Sequence, residues 1–466
     1  MEKKQKYKLS YYIISVEGIN EDNEVLMYSS RSGKKVILSR SVWSTIMDNK
    51  ITFLPEDIMS HLIKLKILVN SHENELETIL FENKEVSKKT DGGLLYEVIQ
   101  PSAFCQMGCY YCGQYHIKQN VSQKNIEKII NRIQSKLLTN SYKELKIGWF
   151  GAEPLVGLLE IREITKELIH ICNKSGINYT SKIVTNGLKL NEHLFLEMVN
   201  DLKMDRIEIT IDGTEGNHDQ HRFLKNGKGT FKRIYRNLKT IIETKKKYDL
   251  NVVISVRCNV DINNSNDVNS LIEKLHQDEI LSKINFYPIG IYEWGDKQNK
   301  ESLDKNIFGE KELHWFIDLL DNGYNISGAL IPIRKYNTCL TTKKNSEVYD
   351  SYGNVFNCTE IPYTKEFEKS EFLNGRLEKD IKNSKDNHLA DWYEIIEKDN
   401  TLPCKSCKLL PVCGGGCPKS WKEGNVPCPT FKYNHKDRLR LFNFLRTYKG
   451  QKEELIKDLK VKFNYD

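Results

Sequence analysis

Cys105, Cys109 and Cys112, in the run CQMGCYYC, carry the most specific chemical pattern in this chain. Thiolates spaced C-x3-C-x2-C can hold three irons of a [4Fe–4S] cluster and leave the fourth without a protein ligand. Such clusters ordinarily take four cysteines, so a loop that supplies three keeps one iron open for another molecule. Half of a zinc site, or three ordinary core thiols, would use the same residues. A second group lies toward the C-terminus. Cys339 is followed by Gly353 and Cys358, then by Cys404, Cys407, Cys413 and Cys417 spaced C-x2-C-x5-C-x3-C, and by Cys428. A four-cysteine zinc ribbon is the alternative there, because C-x2-C pairs also suit zinc. Cys172, in the helical run KELIHICNK, and Cys258, between apolar strand neighbours, read as buried thiols without a redox task.

Composition narrows the setting. Twelve cysteines in 466 residues, 29% charged residues and 39% hydrophobic ones describe an ordinary globular chain. No apolar run approaches the roughly 20 residues of a membrane helix. The start, MEKKQKYKLSYYIISVEG, has no small-residue cleavage site after its short apolar patch, so no secretory signal is expected. A cytoplasmic location follows, and cysteines there serve metal or catalysis rather than disulfides. The formal charge of +7 is spread along the chain. It implies neither nucleic-acid nor membrane binding and is compatible with an acidic peptide partner.

Three blocks of elements must position these residues. In residues 1–92, strand-like runs at 9–16, 24–30 and 34–39 precede a helix that Ser39 caps, a second that Pro55 opens, and a short strand at 66–70. In residues 93–290, apolar strands at 94–100, 145–151, 181–187, 206–212, 251–260 and 284–290 alternate with amphipathic helices such as 125–138 and 231–247. Repeated strand–helix units make an α/β fold with a parallel sheet. Residues 291–466 are poorer in regular pattern, dense in cysteine and closed by a helical tail at 436–461.

With Tyr111 directly before its last cysteine, CQMGCYYC resembles the cluster loop of radical S-adenosylmethionine (SAM) enzymes. In that family the open iron chelates the amino and carboxylate groups of SAM, and an electron from the cluster yields a 5′-deoxyadenosyl radical. The six units are similar to the family's partial (β/α)6 TIM barrel, where chemistry sits at the C-terminal strand ends. The resemblance implies cofactor-binding roles at those ends. Gly151-Ala152-Glu153 resembles the Gly-Gly-Glu motif, with Ala152 replacing the second glycine. Its glycine admits close backbone approach, and its carboxylate can accept from the SAM ammonium. Thr185 and Asn186 suit the ribose, Thr210 the ribose or carboxylate, and Arg257 a carboxylate. Tyr111 and Arg222 complete the set, with Arg222 tying down its loop through Asp219. His116 reads as a structural polar residue, and no catalytic acid or base is assigned.

IDGTEGNHDQHR and NGKGTF resemble a signature of maturases with a SPASM extension, including anaerobic sulfatase-maturating enzymes, and the seven late cysteines reproduce the SPASM pattern. The resemblance implies three [4Fe–4S] clusters in all. Cys404, Cys407, Cys413 and Cys428 would hold the distal auxiliary cluster, and Cys339, Cys358 and Cys417 the nearer one, with a ligand missing. Residues 1–92 resemble a winged-helix-like leader-peptide recognition domain. The expected architecture is that domain, a radical SAM partial barrel (93–290) and a SPASM auxiliary-cluster domain with a C-terminal helix (291–466). The expected function is a radical SAM peptide maturase that takes a hydrogen from a ribosomally made precursor peptide and installs a thioether, C–C or C–O crosslink. Its partners would be the precursor with its leader and an external electron donor of flavodoxin or ferredoxin type. Formylglycine formation is the alternative within the family, weakened because Thr359, not aspartate, follows Cys358. A non-catalytic zinc-binding interaction protein is the alternative from another class.

Overall fold

The computed structural model describes residues 6–19, 23–89, 93–292, 301–364, 372–377, 389–448 and 450–463. By contact, the chain forms two compact units. One comprises residues 89–304 with 343–390, and the other joins residues 1–88, 305–342 and 391–466.

The first unit is built on six parallel strands: β6 (Leu94–Ile99), β7 (Glu144–Trp149), β8 (Asn178–Thr185), β9 (Met204–Thr210), β10 (Val253–Val260) and β11 (Asn285–Gly290), counted after five strands of the other unit. Each pairs with the next in sequence. That unbroken order is the winding of a barrel rather than of a doubly wound sheet, whose order reverses at its middle. Among the described residues β11 pairs with β10 alone, so the barrel stays open. Its helices run over Gln123–Thr139, Leu158–Ser175, Glu192–Asn200, Phe231–Lys247 and Val268–Gln277. Their apolar faces, including Ile129, Ile164, Leu238 and Leu271, are fully buried. The strands and helices expected in this region therefore form.

Three short strands missed in the sequence extend the sheet beyond β6. β12 (Val348–Tyr349) runs parallel to β6, and β13 (Asn354–Phe356) and β14 (Leu373–Arg376) follow antiparallel. At two to four residues they are too short for a periodic signal. Buried charge fastens this extension. Lys136 Nζ lies 2.6 Å from Glu97 and 2.7 Å from Glu347, and Arg132 holds Glu347 through two bonds of 2.6 and 2.5 Å.

In the second unit β1 (Tyr7–Leu9) pairs antiparallel with β5 (Leu68–Asn70), and β2 (Ile13–Glu17), β3 (Val25–Ser29) and β4 (Lys34–Leu38) form an antiparallel sheet. Ser39 caps Arg40–Met47 as expected, by accepting from the Val42 amide. Val25, Met27, Trp43, Ile46, Leu62 and Leu68 form the core there. The helix Glu75–Lys88 was not foreseen, and Trp392–Lys398 packs on it. The expected tail at 436–461 is two helices, Phe431–Thr447 and Lys452–Lys462. Tyr448 and Gln451 are extended between them, and Gly450 lies in the break, where glycine disfavours helix.

Candidate active site

β6 runs into an irregular segment that carries Cys105, Cys109 and Cys112 before Ser122 caps the helix Gln123–Thr139. The end of the short helix Glu215–His221 and the segment after it hold this loop by backbone bonds: Gly108 N to Phe223 O at 2.8 Å, Tyr110 N to His221 O at 3.2 Å and Lys225 N to Gln106 O at 3.1 Å. The three cysteines line one cavity of about 230 Å3. Tyr111, Gly151, Ala152, Glu153, Thr185, Asn186, Thr210, Arg222 and Arg257 share its wall, so every SAM-contact position expected from the sequence reaches the same space. They converge because parallel strands end at one rim of a barrel.

Gly151 sits at φ 115°, and a Cβ there would come within 3.0 Å of Gln100 Cβ, so its backbone lies close against the β6 end. Glu153 is 1% exposed. It accepts from Leu155 N at 3.0 Å, Thr185 Oγ1 at 2.7 Å and Asn186 N at 2.8 Å. A carboxylate offers about four acceptor sites, so room remains for one further donor from the cavity. Burial raises its pKa, and the three bonds oppose that shift. Asn186 Nδ2 points at Cys105 Sγ, 3.8 Å away, and its Oδ1 accepts from Leu188 N at 3.0 Å. Thr185 and Asn186 thus brace Glu153 and the loop, a commitment the sequence did not reveal.

Arg222 corrects an expectation. Its partner is Tyr111, with Nη1 donating to the phenol oxygen at 2.6 Å, while Asp219 accepts from Thr230 N at 2.7 Å and Phe231 N at 2.8 Å. The Tyr111 hydroxyl donates to Asp212 at 2.6 Å and accepts from Asn259 Nδ2 at 2.8 Å. Burial works against the Arg222 charge, but Tyr111, Cys109 and Asp212 outweigh it and hold the guanidinium well above its usual pKa. Arg257 donates through Nε to Asn259 Oδ1 at 2.8 Å. Burial opposes its charge too, and Tyr287, Glu360 and Glu208 raise its pKa. Guanidinium donors beyond Nε remain for a carboxylate in the cavity.

His116, expected to be a structural polar residue, faces the cavity with Nε2 3.9 Å from Cys112 Sγ. Burial lowers it to about 4, so it is neutral at pH 7. Tyr292, Thr359 and Glu360 also reach the cavity wall. Burial pushes the free Cys105 thiol up to about 12 and Cys109 to about 11. A cluster would take them as thiolates, because metal binding displaces the proton. Three thiols on one cavity wall fit a [4Fe–4S] cluster with one open iron, and the adjoining strand ends leave space for its ligand.

Residues 99–260 match the family model of the radical SAM superfamily. The chain carries a radical SAM domain. A cysteine-type anaerobic sulfatase-maturating enzyme of Clostridium novyi (strain NT) is 26% identical over 371 residues, 72% of this chain and 92% of that protein. The radical SAM cyclopropyl synthase TigE of Paramaledivibacter caminithermalis is 23% identical over 462 residues, 88% of this chain and 89% of that protein. The solved structure of native anSMEcpe with bound AdoMet is 19% identical and aligns with a TM-score of 0.54 over 75% of this chain and 100% of that one, a likeness of fold. The protein is an enzyme, which sets aside the non-catalytic zinc-binding alternative.

Beyond the radical SAM domain, Cys404, Cys407, Cys413 and Cys428 line one small pocket. Lys432 Nζ donates to Cys428 Sγ at 3.2 Å. Burial raises Cys404 to about 12 and Cys413 to about 11. The four cysteines of the expected distal set thus line one pocket, and four thiols are the number a fully ligated cluster would take. Among the described residues no three His, Cys, Asp or Glu side chains converge as ligands of a single ion. Cys339 lies near enough to Cys417 for the two to interact electrostatically. Cys358, 7% exposed, belongs to the unit that contains the barrel. Cys172 and Cys258 are fully buried, as expected.

Proposed function

We propose that this enzyme is a radical SAM peptide maturase that crosslinks a ribosomally made precursor peptide. The observation that carries this reading is the single cavity shared by Cys105, Cys109 and Cys112 and the nine expected cofactor-contact positions. Bound there, a [4Fe–4S] cluster and SAM would supply hydrogen-atom abstraction through a 5′-deoxyadenosyl radical. The chain's own part is to orient and exclude. Gly151 lets its backbone approach the methionyl group, Glu153 offers a remaining acceptor site to the ammonium, and Arg257 offers its fork to a carboxylate. Thr210 stands at the end of β9 for the ribose.

In this reading Cys404, Cys407, Cys413 and Cys428 hold a distal cluster, and Cys339 and Cys417 belong to a nearer one. Residues 1–92 would hold the leader, by adding it as a strand to a sheet edge. The likeness to a relative named a cyclopropyl synthase, along 88% of the chain, supports carbon–carbon bond formation within the crosslinking class. Formylglycine formation draws support from the sulfatase-maturating relative, and Thr359 after Cys358 speaks against it.

The test is anaerobic. After cluster reconstitution, iron is counted and conversion of SAM to 5′-deoxyadenosine is followed by chromatography. Cys105→Ala/Cys109→Ala/Cys112→Ala should lose about four irons and all 5′-deoxyadenosine. Mass analysis of the short peptide encoded beside this gene should then show loss of two hydrogens. A wild-type protein that neither retains iron nor cleaves SAM would refute the reading.

A further inference from the structure

One pleat below the cavity, the barrel interior holds a cation without a carboxylate partner. Side chains alternate along a strand, so Lys182 on β8 faces the same side as Val184, which lines the cavity, and lies about 6.6 Å behind it. In register, Lys182 stands between Gly148 on β7 and Arg206 on β9. Gly148 leaves the seat. A Cβ there would collide with the Tyr96 hydroxyl and come within 3.0 Å of the Phe150 ring. Those two rings fill the space instead, and Lys182 Nζ sits 4.8 Å from the Tyr96 centroid and 5.5 Å from that of Phe150. Phe150 is itself part of the cavity wall.

The Lys182 ammonium makes no hydrogen bond or ion pair among the described residues, and burial pulls its pKa down, with only partial relief from Glu208. Lys146 is answered by an ion pair with Asp205. That leaves Lys182, Arg206 and Arg257 facing Glu208 and Glu360, three cations to two carboxylates along this side of the lumen. Aromatic faces stabilise an ammonium but do not neutralise it, and a half-buried charge gains most from an anion that arrives with its own desolvation already required.

We infer that Lys182 anchors a carboxylate of the substrate peptide, an Asp or Glu side chain about two residues from the one that reacts. The spacing follows because an extended peptide advances about 3.3 Å per residue, so the pleat between Val184 and Lys182 corresponds to two positions. The inference rests on the peptide-maturase reading and adds to it an acidic substrate. The carboxylate of SAM is not the occupant, because SAM belongs at the strand ends beside the cysteines.

The test uses the anaerobic holoenzyme with SAM and reads binding without turnover, by fluorescence anisotropy of fluorescein-labelled hexaglutamate and hexaglutamine. Wild type should bind hexaglutamate at least tenfold more tightly, and Lys182→Met should lose at least that factor. Lys246→Met, an exposed control on the helix Phe231–Lys247, should lose little. If Lys182→Met does not fold, as judged by iron content and circular dichroism, Lys182→Gln keeps most of the stem and replaces the charge. Equal affinity of wild type and the folded Lys182 variant overturns the inference. So does displacement of hexaglutamate by millimolar phosphate, which would mark a general anion site. Failure of the wild type to cleave SAM would instead strike the maturase reading, so the two fail separately.

Discussion

The Tyr111 hydroxyl joins three elements: it donates to Asp212 after β9 and accepts from Arg222 after the Glu215–His221 helix and from Asn259 on β10. The resemblance implies a cofactor contact at Tyr111, which lines the cavity, and its oxygen also fixes the loop to the barrel interior. Tyr111→Phe strips Arg222 of an acceptor and Asp212 of a donor inside the protein. Leaving buried polar groups unpaired costs about 1–3 kcal/mol, so thermal unfolding of the cluster-free variant should begin several degrees below wild type. An unchanged transition would show that water replaces the phenol. Lys182 was invisible to sequence reading for a related reason. A lysine in an apolar strand carries no signal of its own, and its seat depends on Gly148, Tyr96 and Phe150 from two neighbouring strands.

At the scale of elements, the barrel was legible strand by strand. The predicted run 231–247 coincides with the helix Phe231–Lys247, whose amphipathic repeat is sustained over 17 residues. Caps were legible as well, since a serine before an apolar-periodic run satisfies amides that a helix start leaves open. Ser122 tests this next to the cluster loop, where its Oγ accepts from Asn125 N at 3.3 Å. Ser122→Ala should cost about 1 kcal/mol, read as an earlier denaturant midpoint with an unaltered slope. Elements of two to four residues escaped notice. β12, β13 and β14 exist because β6 offers an unpaired edge and Lys136, Glu97 and Glu347 lock the arrangement, neither of which is a local property.

For the molecule as a whole, the same ion cluster sets a pH limit on the barrel-containing unit. Burial alone would raise Glu347, but Lys136 and Arg132 reverse it and hold the carboxylate well below its usual range. A depressed carboxylate contributes stability above its unfolded pKa of about 4.3 and loses it as pH falls. Glu97 shifts the other way, raised by burial and by the charge of Glu347. Glu347→Gln should lower stability near neutrality by about 3 kcal/mol, because Lys136 and Arg132 lose a charged partner. It should also flatten the fall in melting temperature between about pH 5 and about pH 3. Parallel acid limbs in wild type and variant would show that other carboxylates govern that range.

By itself the sequence determined the chemistry's raw material and the barrel: cysteine spacing, strand–helix alternation and the glycine and carboxylate at Gly151 and Glu153 are local patterns, and local patterns survive in one dimension. Only the tertiary structure decided that twelve of those residues share a single cavity, that Arg222 answers Tyr111 rather than Asp219, and that Glu153 is braced by Thr185 and Asn186. These are contacts between residues 32 to 111 positions apart. Burial and pairing at such separations follow from how strands register and where they end, which no window of sequence encodes.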